Sequence, residues 1–254
     1  MGNAGTWHGH CGRPVPHSAG SVMGGWGELL LAFAAFLASH AVPARPAVKA
    51  RLKTALGRRG YLVVYILISL AMLTWLIVAA GRAPHVPLAP VAGWQAWVPN
   101  LAMPIVCLLI AFGAATPNPL SFGGRRNDRF TPAAPGIAGL TRHPLLWALA
   151  LWSGAHAVAN PDLAHVLLFG GFAGFAIFGT RVIDRRNQRL MGRPAWQRAA
   201  AHTSNLPFGA LVAGRWRPGG PPPLGRLALG LGLWVLLLLG HRPVIGVSPL
   251  PPLF

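Results

Sequence analysis

Histidines set inside apolar sequence are the side chains of this chain best suited to chemistry. His40 lies in FLASHAVPARP and His156 in LWSGAHAVANP. An ionisable group within hydrocarbon is costly, so each is a functional candidate by default. Neutral imidazole is a good axial ligand for haem iron, and apolar helices around it supply a dry pocket. Two such histidines on separate helices suggest a ligand pair; the structural alternative is polar bonding between helices. Ser153, His156 and Asn160 fall at i, i+3 and i+7, one face of a helix. Trp152 stands one turn before His156, and the small residues Ala150 and Gly154 leave room for another helix or a flat cofactor.

A second constellation is TRHP. Pro144 suits the first turn of a helix, which leaves Arg142 and His143 just outside it. A helix N-terminus, a guanidinium and a protonatable imidazole together form an anion site. Its ligand could be a phosphate, a lipid headgroup, a haem propionate or the carboxylate of S-adenosylmethionine; the structural alternative is an interfacial anchor. Asp184, within RVIDRRNQRL, reads as an ion-pair partner rather than an acid/base group. His8, His10, Cys11 and His17 have ligand-like spacing for zinc or copper. Residues 1–22 read more simply as a disordered tail, or as sequence upstream of a true start at Met23. They lack a basic n-region and a cleavage site, so they are no signal peptide. No P-loop, dinucleotide fingerprint, HExxH, Gly-x-Ser-x-Gly or CxxCH occurs.

The elements that must hold these groups are membrane helices. Of 254 residues 53% are hydrophobic and 10% charged, with a mean hydropathy of +0.48. A water-soluble surface needs about a quarter charged residues, far more than this chain carries. Apolar runs predict spans at about 24–42, 60–80, 97–116, 143–159, 163–183 and 224–240. The expected fold is an all-α polytopic integral membrane helix bundle of about six transmembrane helices. Net charge is +18, and the loops 43–59, 117–142 and 181–226 hold six, four and nine of the 22 cations. Only Arg13, Arg82 and Arg242 lie elsewhere. Positive-inside reasoning puts those three loops in the cytoplasm and both termini on the non-cytoplasmic side. The basic excess therefore points to the anionic inner leaflet of a lipid bilayer, with no nucleic acid as partner. Gly170 and Gly174 form a GxxxG that predicts a close helix contact. Residues 181–200 predict an interfacial helix, and Trp94 and Trp97 an aromatic belt.

FLASHAVPARP, LGRRGYLVVYILISL, GLTRHPLLWALALWSGAHAVANPD and HRPVIGVSPLP resemble the NnrU family of bacterial membrane proteins over about 23–251. The resemblance implies a multi-pass inner-membrane protein associated with denitrification, in nitrite and nitric oxide reduction, and denitrification-related membrane proteins as partners. It also implies kinship with 15-cis-zeta-carotene isomerase, a membrane enzyme that uses haem b for cis-trans isomerisation. That enzyme's axial ligands fall on His40 and His156, and another of its histidines on His143. Its cysteine one turn before the second ligand is replaced by Ser153. Counted along the spans, the two ligand positions are staggered in depth by about 14 Å, which a haem standing edge-on would bridge, its propionates near Arg142. The RHP helix also resembles the isoprenylcysteine carboxyl methyltransferases, which bind S-adenosylmethionine; their paired glutamates are reduced here to Asp184. A third reading is a non-enzymatic membrane assembly factor.

Overall fold

The computed structural model describes residues 19–43 and 45–250. The Cys/His cluster of residues 8–17 lies outside the described residues. Among those described there is no β-strand, only one bridge between Pro87 and Asp162. Two compact units form, Met1–Pro84 and His85–Phe254.

The first unit is a pair of helices, α1 (Ala19–Ala41) and α2 (Pro46–Arg82), packed on one another. The chain leaves α1 before Pro43, and Pro46 opens α2, where a missing N–H costs nothing. The cationic stretch expected as a loop is helical from residue 46. Gly57, at φ 70°, breaks the helical path and separates this basic segment from the apolar span that follows. Leu29, Ala32 and Phe36 of α1 and Leu76, Ala79 and Ala80 of α2 are buried where the two helices pack on one another. Glu28, the acid within α1, accepts hydrogen bonds from Trp75 and Arg82, so its charge is not left alone in an apolar helix.

The second unit contains α3 (Gly93–Gly113), α4 (Ile137–Leu140), α5 (Pro144–Ala159), α6 (Leu163–Met191), α7 (Arg193–Ala200), α8 (Gly209–Val212) and α9 (Leu224–Ile245). α3 packs on both α5 and α9, and α5 packs on α6, so the long helices form a layer in the order α9, α3, α5, α6. Close approach depends on missing side chains: a Cβ on Gly113 would lie 2.7 Å from Pro144, and one on Gly230 would lie 2.8 Å from Leu108. At one end, Leu88 donates to Pro161 and Val86 accepts from Leu163, which clips the segment before α3 to the α5–α6 turn.

Among the described residues, four helices, α2, α3, α6 and α9, are long and apolar enough to cross a membrane. Helix α5 is apolar but has 16 residues, about 24 Å against a hydrocarbon core of about 30 Å. Helix α6 corrects an expectation. It runs unbroken for 29 residues, about 43 Å, so the arginine-rich segment from 181 continues the span and is not a separate interfacial helix. The break comes at Gly192, φ 78°, and only the short α7 turns away. The GxxxG expectation is corrected as well: among the described residues of the second unit, a Cβ on Gly170 or Gly174 would meet nothing within 4 Å, so no helix of that unit packs closely there. Trp94 and Trp97 are exposed at the start of α3, as a belt position requires.

Candidate functional site

The densest polar structure in the second unit is built on TRHP. Thr141 ends α4, and Pro144 opens α5. Arg142 and His143 therefore sit in the link between the two helices, with His143 as the N-cap whose carbonyl accepts the Trp147 N–H at 3.0 Å. The link is held from both sides: Arg142 N–H donates to Ser204 at 2.7 Å, and its carbonyl accepts from Asn118 Nδ2 at 3.0 Å. Side chains follow inward, with His143 0% exposed and Arg142 7%.

What meets them is Asp184, from the C-terminal part of α6. One carboxylate oxygen accepts from Arg142 Nη1, and the other pairs with His143 Nε2 at 3.0 Å. His143 Nδ1 pairs with Ser121 Oγ at 2.9 Å. Arg142 Nε–H donates to Thr203 Oγ1 at 3.0 Å, and the guanidinium lies over the Trp196 ring, 4.8 Å from its centroid. Burial pushes the Arg142 pKa down; Asp184 pulls it back up through charge and hydrogen bonding, and Arg215 repels it. Guanidinium remains charged through all of this, so a buried cation is held by a buried anion.

Neighbouring groups extend the lock. Thr141 Oγ1–H and Trp147 Nε1–H both donate to the Asn205 carbonyl, at 3.0 and 2.8 Å. Asn205 Nδ2 donates to Thr180 Oγ1 at 3.0 Å, and Asn187 Nδ2 to the Leu120 carbonyl at 2.7 Å. The 118–121 loop after α3, the start of α5, the 180–187 stretch of α6 and the turn 201–205 are thus one hydrogen-bonded body.

Sequence reasoning brought Arg142, His143 and Asp184 forward, and the fold brings them together with Asp184 as the ion-pair partner. It missed Ser121, Trp196 and Thr203. The polar run HTSN at 202–205 was the available signal, since four consecutive polar residues between apolar segments need buried partners.

His156 lies three residues before the end of α5, beside Trp152 at 5.2 Å and Phe169 at 5.5 Å between ring centroids. Its Nδ1–H donates to the Trp152 carbonyl at 2.8 Å, which leaves Nε2 as the lone-pair nitrogen. Ser153 Oγ donates to the Leu149 carbonyl and Asn160 Nδ2 to the His156 carbonyl. The polar stripe of α5 is therefore satisfied by its own helix and makes no hydrogen bond to a neighbouring one. In the first unit His40 repeats the arrangement: Nδ1–H donates to the Phe36 carbonyl at 2.8 Å, with Phe36 and Tyr65 rings at 4.3 and 6.0 Å. Near the start of α6, His165 Nδ1 pairs with Asp162, the N-cap. Among the described residues no three His, Cys, Asp or Glu side chains converge as a metal cage.

The model of the NnrU protein family matches residues 28–249. No curated protein and no solved structure matches the chain.

Proposed function

Because the chain belongs to the NnrU family, we propose that it is a six-span protein of the bacterial inner membrane that binds haem b through His40 and His156. Both termini lie outside the cytoplasm, with the three cation-rich segments inside. The observation that carries the reading is the shared imidazole geometry. Each ring is pinned by Nδ1–H to the carbonyl four residues earlier, at 2.8 Å in both. That bond selects the tautomer with a free Nε2 and fixes the ring plane, which is what an axial ligand needs before it meets a metal. Each ring stands beside aromatic neighbours, Phe36 and Tyr65 at His40 and Trp152 and Phe169 at His156. Haem b, when bound, would supply an iron that exchanges one electron. The role of the polypeptide is to bind it, orient it and exclude water.

The buried triad then acts as a scaffold. Arg142, His143 and Asp184 fix the start of α5, and α5 carries His156 twelve residues on, about 18 Å deeper. Two reactions suit such a site: support of nitrite and nitric oxide reduction, and cis-trans isomerisation of a conjugated double bond. Methyl transfer from S-adenosylmethionine draws no support, because Arg142, His143 and Asp184 are occupied by one another.

Oxidised and reduced optical spectra of protein expressed with haem supplied test the reading. The wild type shows a Soret band that moves on reduction; His40→Ala and His156→Ala each lose it or change its position. Absence of the band in wild type overturns the proposal.

A further inference from the structure

A groove of about 260 Å³ opens where the end of α3, the 129–137 loop and the start of α9 meet. Two guanidiniums, Arg129 and Arg226, and two hydroxyls, Thr116 and Thr131, line it, and Phe112 and Phe130 add apolar walls. Arg226 is held in place: its Nη1 donates to the Ala111 and Ala114 carbonyls, the latter at 2.8 Å, capping α3. One guanidinium is thus pre-positioned while its remaining N–H groups stay available. Arg129 is exposed, and its side chain makes no hydrogen bond or ion pair among the described residues. The Thr116 hydroxyl donates to the Gly113 carbonyl at 3.1 Å, so the two guanidiniums and the Thr131 hydroxyl are the donors that, above an apolar floor, match a phosphodiester joined to hydrocarbon. The volume suits a headgroup and excludes a whole lipid, whose chains would stay in the bilayer along the exposed Leu224 and Leu229 of α9.

We propose that this groove is a binding site for the phosphate of an anionic phospholipid in the cytoplasmic leaflet. The leaflet rests on the orientation given above, but the site does not. Charge complementarity selects the occupant: the surrounding loop adds Arg125 and Arg126 to the two groove arginines, against Asp128 alone.

Native mass spectrometry of the detergent-purified chain tests it, with dioleoyl phosphatidylglycerol against dioleoyl phosphatidylcholine at equal concentration. Phosphatidylglycerol adducts dominate in wild type. Arg129→Gln, which breaks no internal contact, lowers them about fivefold, the effect of one surface cation on lipid binding. Arg198→Gln, an exposed cation on α7 outside the groove, leaves them unchanged. Equal losses in both variants mean diffuse attraction to basic loops and overturn the site. Displacement by millimolar inorganic phosphate means a free-anion site and overturns the lipid assignment. The readout needs neither haem nor a fixed orientation, so its failure is separable from failure of the proposed function.

Discussion

Replacing Asp184 by Asn leaves the shape of the side chain and removes the charge that balances Arg142. The guanidinium has 9% of its side-chain surface exposed, and the carboxylate 12%, so water cannot take over the lost pairing. Removing one partner of a buried ion pair costs about 3–5 kcal/mol, because the other is left uncompensated. An Asn amide nitrogen turned toward Arg142 would also set N–H against a guanidinium that can only donate. For a chain of this size the loss corresponds to a fall in Tm of about 6–20 °C. Cys107 provides the assay: it is fully buried in α3, so its reaction with a thiol-specific dye reports unfolding. Measurements belong in a Cys11→Ser background, which leaves one thiol. A double-mutant cycle then isolates the pair. Arg142→Met combined with Asp184→Asn removes the stranded cation and recovers at least about 2 kcal/mol relative to the sum of the single changes. If the two changes add to within about 0.5 kcal/mol, the pair does not hold this end of the helices together, and the scaffold argument fails.

Two further outcomes follow from packing and orientation. Gly139→Ala places a Cβ 2.3 Å from the Trp216 indole and lowers stability by about 1–3 kcal/mol, while Gly170→Ala and Gly174→Ala, which meet nothing, stay within about 0.5 kcal/mol; thermal unfolding with the same dye distinguishes them. Single-cysteine reporters at Arg125 and Arg193 react with an impermeant maleimide only after cells are opened. One at Val91, 80% exposed before α3, reacts in intact cells; the reverse pattern inverts the orientation.

Much of the fold was legible because hydrocarbon imposes a simple code. Long apolar runs must be helices in lipid, since unpaired backbone groups there are too costly. Four of the predicted spans accordingly match helices to within a few residues at each end, while α2 begins at Pro46, well before residue 60, and α6 runs on past residue 183 to Met191. Where sequence reasoning failed, it lacked a neighbour. The GxxxG at 170 and 174 has the right residues for a close contact, but among the described residues of its unit no helix lies within reach of it. The arginines from 181 look interfacial, yet no Gly or Pro interrupts the helix before Gly192. Continuation of α6 carries Asp184 beyond the apolar span and beside Arg142.

By itself, then, the order of residues determined the all-helical class of the molecule and the apolar character of its long helices. These depend on local hydropathy and on the covalent limits of Pro and Gly. Only the tertiary structure decided what Arg142 and His143 hold, because Asp184 is 41 residues from His143 along the chain and pairs through space. It also decided that Ser153 and Asn160 bond within their own helix and that His40 and His156 keep Nε2 free. A helical face can be read from spacing, but the atom that meets a donor depends on rotamers and packing that spacing does not encode.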